Sequence, residues 1–335
     1  MNHSVTMSDI ARELGVSTVT VSKALGDKEG VSDAVRDKVK EKAEQMGYRY
    51  HSLAGGMKEG ISGNVGVLVS EGFFQDNAFY ARLYNHNVQD LKRLGYSCIL
   101  EILSKLDERE GILPKMIENN KIDALIILGQ LKRSYISKIR AINIPFLFQD
   151  FYDEDYNVDS VVSDNVYGAY QLTNYLITSG FEKIGFIGNI YATSSIMDRY
   201  LGYYRAMLQN RIPLREEWII SDRDETIGTY TTLELPEELP DAFFCNCDEV
   251  AYSLVKQLKA AGKRVPEDIS VIGFDDSSFA TFCNPGLTTY RVAIETMSET
   301  AVDAVTKKIK DAEYRIGRKV IGGDIVIRDS VKPKI

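Results

Sequence analysis

Thr18, Val19, Ser22 and Lys23 lie in the stretch SDIARELGVSTVTVSK, residues 8–23. At about 100° per residue they share one side of a helix. Hydroxyls, a small branched side chain and one ammonium on a single helical face can donate to, accept from and touch base edges in a duplex groove. Thr20, Val21, Ala24 and Leu25 fall on the opposite side, the side that packs. A helix in front must hold this one in place. Thr6 with Asp9 is a Thr-x-x-Asp start signal, and Ile10, Ala11 and Leu14 form its apolar face. Gly15 permits the left-handed turn that ends it. Ser17 then caps the second helix, which runs to about Leu25. Ser32 caps a third, with Val35, Val39, Ala43 and Met46 at helical spacing. Three helices with this turn make a helix-turn-helix, whose second helix suits a major groove. A small helical bundle with no nucleic acid is the plainer alternative.

From Asn64 the pattern changes to strand-then-helix alternation. Val65–Val69, Cys98–Ile102, Ala124–Leu128, Pro145–Phe148, Val161-Val162 and Ile184–Gly188 read as buried strands. Helical stretches separate them: one through Leu94-Gly95, one from Arg109 to Asn119, another from Tyr167 to Ser179. Such alternation predicts parallel sheets flanked by helices, twice over. Ligands in these folds sit beyond the carboxyl ends of the strands. Ser70, Asp150 and Asp275 end strands, and a charge there is costly unless something pairs with it. One stretch departs. About twenty residues, with Pro236 and Pro240 among them, separate Trp218-Ile219-Ile220 from Ala242–Cys245. A parallel crossover usually needs a helix of about a dozen residues. Glu225 to Leu235 supplies a turn or two, so the second subdomain is expected to be trimmed, with Tyr230 the nearest candidate for a ligand contact.

Length and composition set limits. A chain of 335 residues, 44% of them apolar, suits two or three domains with sizeable cores. No run of about 18 apolar residues occurs and the start lacks the marks of a signal peptide, so no membrane partner and a cytoplasmic location are expected. The four cysteines are scattered, which fits reduced thiols. Cys245-x-Cys247 is too tight for zinc, and neither a metal nor a cofactor is expected. Net charge is −8, and residues 1–60 hold nine Lys/Arg against nine Asp/Glu. Charge alone does not point to DNA, and affinity should rest on pairing two heads. No G-x-G-x-x-G, P-loop or G-x-S-x-G occurs, and none of His3, His51 or His86 ends a predicted core strand, which argues against an enzyme.

The stretch TMSDIARELGVSTVTVSKALGDKEGVSDAVRDKVKEKAEQMGY resembles the opening of the lactose/galactose-repressor (LacI/GalR) family. It has the hydroxyl-capped DIA, the GVS..TVS, a VS starting the third helix and the closing GY. VPEDISVIGFDD, residues 265–276, matches the family's vP.DiSViGFDD nearly letter for letter, and Pro285–Thr289 matches its P.LTT. The likeness covers essentially the whole chain. It implies an all-α helix-turn-helix head (1–50), a hinge (51–63) and an α/β core (64–335). That core would hold two doubly wound parallel-sheet subdomains of the type I periplasmic-binding-protein kind. Lobe one would span about 64–161 and 291–320, lobe two about 162–290 and 321–335.

The resemblance also implies roles. Thr18, Val19 and Lys23 would read bases, with Thr6, Thr20 and Ser22 beside them and Ser17 and Ser32 gripping phosphates. Ser52, Ala54 and Met57 fall where the family's hinge enters the minor groove, Met57 as an apolar wedge. Tyr50-His51 replace the family's frequent Pro-Asn, and each of Gly55 and Gly56 costs a helix about 0.8–1 kcal/mol relative to Ala. The hinge is therefore expected to fold only on a cognate site. Effector contacts would come from Ser70, Phe79, Tyr80, Asp150, Arg199, Asn246, Asp248 and Asp275. Arg199 and Asp275 can serve a ligand or pair with each other. Asn246-Cys247-Asp248 departs from the family's Asn-Asp: Cys247 takes the Asn position, alternation points Asn246 the other way unless the strand end is irregular, and Asp248 reads as a cap of the following helix more than as a ligand contact.

Carboxylates, an arginine and aromatic rings around a cleft suit a polyhydroxylated ligand, so a sugar is expected, with a nucleobase as the alternative. The implied function is a DNA-binding regulator, a repressor, whose homodimer sets two heads on a pseudo-palindromic operator. The small-molecule effector would bias the lobes and so the heads. A sugar receptor of the same fold would need a signal peptide and no helix-turn-helix; this chain shows the reverse.

Overall fold

The computed structural model describes residues 5–46, 61–74, 78–155, 157–224 and 229–334. Its amino-terminal part is three helices, α1 (Met7–Leu14), α2 (Thr18–Leu25) and α3 (Asp33–Gln45). Thr6 closes a capping box with Asp9: the Thr6 hydroxyl accepts the Asp9 amide, and the Asp9 carboxylate accepts the Thr6 amide at 2.9 Å. Gly15 ends α1 at φ 64°, where a side chain would be strained. Ile10, Ala11, Val21, Ala24, Leu25, Val39 and Ala43 form the buried core of this head. Thr20, expected on the packing side, is only half-buried, because its hydroxyl lies 2.8 Å from that of Ser17.

The rest is two parallel sheets. The first has β1 (Asn64–Ser70), β2 (Ser97–Leu103), β3 (Ala124–Leu128), β4 (Phe146–Gln149), β5 (Ser160–Ser163) and, much later, β11 (Arg318–Ile321). Their order is β11-β5-β4-β3-β1-β2. The second has β6 (Ile184–Ile187), β7 (Ile219–Ile220), β8 (Ala242–Cys245) and β9 (Ser270–Ile272), in the order β7-β6-β8-β9. An antiparallel pair, β10 (Thr289–Arg291) with β12 (Asp324–Val326), lies where the chain passes between the lobes. The helix Ile294–Lys310 packs on β3, β4 and β5, so the chain returns to the first lobe after building the second. Among the described residues no helix is long and apolar enough to cross a membrane.

Strands β1 and β3 are buried on both faces, as flanking helices require, which is why they read as unbroken apolar runs. Two expectations about elements meet different ends. The single helix expected over Arg109–Asn119 is instead two short ones, Lys105–Glu110 and Lys115–Glu118. Gly111 breaks it at φ 68° and Pro114 starts the next turn. The trimmed crossover is present as read: no helix occurs among the described residues between β7 and β8, although that connection must pass over β6. Leu233 tethers the segment by burying its side chain, and its carbonyl accepts from Gln257 at 2.7 Å.

Candidate DNA-binding face and effector cleft

On the head, Ser17 caps α2 by accepting the Thr20 amide at 3.1 Å. That fixes the register in which Thr18, Val19 and Lys23 point outward, with Val19 63% exposed. Its methyl groups are open to solvent on the same side as Thr18 and Lys23. Ser22 is half-buried beside them. Ser32 caps α3 by position without a side-chain hydrogen bond, so its hydroxyl is not spent on the helix. Arg36 and Lys40 both reach Asp27, at 3.0 and 2.7 Å, and tie α3 to the end of α2. Ser52, Ala54 and Met57, with the rest of the hinge, lie outside the described residues.

A cleft of about 380 Å³ opens between the carboxyl ends of the two sheets. Phe79, Tyr80 and Asp150 line it from the first lobe; Arg199, Asn246 and Asp275 line it from the second. Six of the eight expected residues therefore converge. Ser70 does not line it; the chain turns at the end of β1 and Glu71, Gly72 and Phe73 face the cleft instead. Asp248 does not line it either. Its carboxylate is spent within lobe two, accepting the Ser277 amide at 2.7 Å and the Thr289 hydroxyl at 2.6 Å. It is the first helical residue after Cys247 rather than the cap itself.

Asn246 follows the irregular strand end allowed for in the sequence reading. β8 ends at Cys245, so alternation stops there, and both Asn246 and Cys247 reach the cleft wall. The Asn246 amide nitrogen donates to the Ile187 carbonyl at 3.0 Å and to Asp222 at 2.9 Å. Its main-chain carbonyl accepts from Arg199 Nη1 at 2.6 Å. Asn246 is a strut between other groups.

Arg199 is the most heavily ordered group. Besides Asn246 it donates from Nε to Asn165 at 2.8 Å, and its Nη2 lies 3.1 Å from Asp275. Its guanidinium covers the Phe274 ring at 3.9 Å. The ion pair with Asp275 is present, and both residues also line the cleft. Asp150 and Asp275 stand in left-handed backbone, at φ 68° and 104°, which turns each carboxylate off its strand end into the cleft. Burial pushes the Asp275 carboxyl up to about 6, against the pull of Arg199. Burial pushes Asp150 further, to about 7, against Arg199 and the 2.8 Å hydrogen bond from Tyr80. Among the described residues, the second Asp150 oxygen has no hydrogen-bond partner. Phe79 packs edge-on against Tyr80 at 5.3 Å, holding that hydroxyl on Asp150.

The residues missed by sequence reading are Lys105, Asn165, Thr193, Ser195, Arg223 and Glu249. Lys105 follows β2 and Arg223 follows β7, so the strand-end rule applied to every strand would have found both. Asn165 had no signal: its role depends on Arg199, far along the chain.

A helix-turn-helix head joined to a two-lobed ligand-binding core defines the class: a regulator that binds DNA and answers to a small molecule. Residues 6–50 match the family described as bacterial regulatory proteins, lacI family, and residues 173–331 match a periplasmic binding protein-like domain. The HTH-type transcriptional repressor PurR of Vibrio parahaemolyticus is 27% identical over 332 residues, 98% of each chain. That of Vibrio vulnificus is 28% identical over 334 residues, again 98% of each. Two solved structures share the fold: a Lac repressor dimer bound to operator and the anti-inducer ONPF, and the complex of the regulator CelR with cellobiose. The first has TM-score 0.77 and 21% identity, covering 98% of this chain and 99% of that one. The second has TM-score 0.70 and 23% identity, covering 97% and 99%. Its head is matched by the LacI family of bacterial regulatory proteins, and over its full length the chain is similar to repressors of this kind. It is a DNA-binding transcriptional regulator with a ligand-binding core, not an enzyme.

Proposed function

We propose that this regulator is a cytoplasmic homodimeric repressor. Its heads (1–50) read a pseudo-palindromic operator through Thr18, Val19 and Lys23, with a hinge over 51–63 and an effector-sensing core over 64–335. The single observation that carries the DNA reading is the outward set of Thr18, Val19 and Lys23 on a helix whose other side is the head's core. Thr6, Ser17, Thr20, Ser22 and Ser32 support that surface, Ser17 and Ser32 at helix starts where phosphate oxygens are favoured. Ser52, Ala54 and Met57 of the hinge complete it in the minor groove.

The effector is a sugar. Two buried carboxylates and an oriented guanidinium, beside the Phe79 and Tyr80 rings, match vicinal hydroxyls on one face and an apolar ring on the other. Ligand closes the lobes and so biases the spacing of the heads. A nucleobase-responsive, co-repressed regulator is the second reading, kept because the relatives carry the name PurR.

Selection from random duplexes with the full-length protein should return a pseudo-palindrome. Lys23→Ala should then weaken binding by about 1–3 kcal/mol and relax preference at one base position per half-site. A uniform loss across all sequences would show that Lys23 touches phosphate rather than bases.

A further inference from the structure

Resting on the sugar reading above, we propose that the cleft recognises two linked sugar units, with Arg223 reading the second, so that the effector is a disaccharide. The cleft contains the same constellation twice. Near the passages between the lobes stand Arg199, Asp275 and Asp150 with the Phe79 and Tyr80 rings, at the ends of β4 and β9. At the other end stand Arg223 and Lys105, following β7 and β2, the edge strands furthest from those passages. Glu71 and Glu249 line the cleft with them, and Tyr230 supplies the ring.

Arg223 is built as a reader. Its side chain is one-tenth exposed, and Nε lies 3.1 Å from both oxygens of Asp222, with Nη2 at 2.7 Å. Its guanidinium lies over the Tyr230 ring at 4.7 Å. Asp222 is itself held, by the Asn189 amide at 2.8 Å and by Asn246. A guanidinium needed only to neutralise Asp222 would not have to face a cavity. Burial raises the Asp222 carboxyl, but Arg223 outweighs it and holds the group below the usual range, so the pair stays ionised with no net charge. With Glu71 and Glu249 also facing the space, an anionic ligand is disfavoured, and direction without net charge is what reads neutral hydroxyls.

The two readers share one strut. The Asn246 main-chain carbonyl holds Arg199 while its side-chain Nδ2 holds Asp222, which holds Arg223. Both guanidinium groups are therefore held within lobe two, and in this proposal Arg199 takes one ring and Arg223 the next. The helix absent between β7 and β8 leaves that outer end covered by Thr229 and Tyr230 among the described residues.

The test is calorimetric titration of the full-length protein with glucose, galactose, cellobiose, maltose and lactose, and with adenine, guanine and hypoxanthine. One disaccharide should bind about tenfold or more tighter than either monosaccharide. Arg223→Ala should bring that disaccharide to the monosaccharide level and leave the monosaccharide unchanged, whereas Arg199→Ala should lose both. Because Arg223→Ala strands the Asp222 charge, Tyr230→Ala serves as the second variant and should give the same split. Equal binding of one and two rings, or equal weakening of both by Arg223→Ala and Tyr230→Ala, would overturn this inference and leave the sugar reading standing. Binding of adenine, guanine or hypoxanthine with no saccharide binding, or no binding across the panel, would overturn both.

Discussion

The head and the cleft solve recognition in opposite ways. On α2 the recognising groups sit within two helical turns and face solvent, and the Ser17 cap sets their direction. In the cleft they come from the ends of different strands and from helices, are buried, and are oriented by other buried polar groups such as Asn165, Asn246 and Asp222. Removing an exposed group costs what it contributes to a partner. Removing a buried one also strands whatever it was holding.

Arg199→Ala should therefore be the most damaging change. It leaves Asp275 as an uncompensated buried charge and should cost about 3–5 kcal/mol of stability while abolishing effector binding. A thermal melt with and without sugar checks both, and a retained ligand shift would contradict the placement of the cleft.

Ile10→Ala attacks the head's small core, where Ile10 is fully buried. The expected cost is about 2–5 kcal/mol, enough to unfold a three-helix head. Operator binding should vanish while the sugar-induced thermal shift persists, because the cleft draws nothing from those residues.

Asp150→Asn probes the cleft in the reverse direction. The folded carboxyl titrates at about 7 and an ordinary one near 3.8. The folded state thus holds more protons in between, and stability falls as pH rises through that window. The asparagine removes the buried charge and can still accept from Tyr80. Unliganded protein should gain a few degrees of melting temperature at pH 8, as about 2–4 °C per kcal/mol implies. The gain should shrink as pH is lowered through 7 towards 4, and effector affinity should fall throughout. A gain independent of pH would mean that Asp150 is not the titrating group.

Thr6→Ala is the smallest. Losing the capping box should cost about 1 kcal/mol and weaken operator binding slightly, with no change in sugar affinity. A change in sugar affinity would erase the contrast between the two regions.

The head was largely legible because it is local. The Thr6 cap, the Gly15 stop, the buried face of α2 and the outward Thr18, Val19 and Lys23 all follow from helical periodicity within a few residues. The core strands were legible for the same reason, as was the lack of a crossover helix between β7 and β8 among the described residues. The helix expected over 109–119 failed because Gly111 and Pro114 outweighed its periodicity. The cleft was legible only in part. The strand-end rule found Asp150 and Asp275, but Ser70 and Asp248 sat one step from positions that matter. Whether a residue beside a strand end faces the cleft depends on the turn that follows, and one peptide of rotation reverses it.

By itself the sequence determined a three-helix head with an outward face on its second helix, two parallel-sheet lobes, and the likeness to LacI-family regulators, since each is encoded in spacing along a continuous stretch. Only the tertiary structure decided that Asn246 is a strut, that Asn165 aims Arg199, and that Asp222 is held by Asn246. Those roles are set by hydrogen-bond partners between some 24 and 47 residues away along the chain. A side chain's hydrogen-bonding capacity can be read from its type; the groups that consume it are known only once the chain has folded.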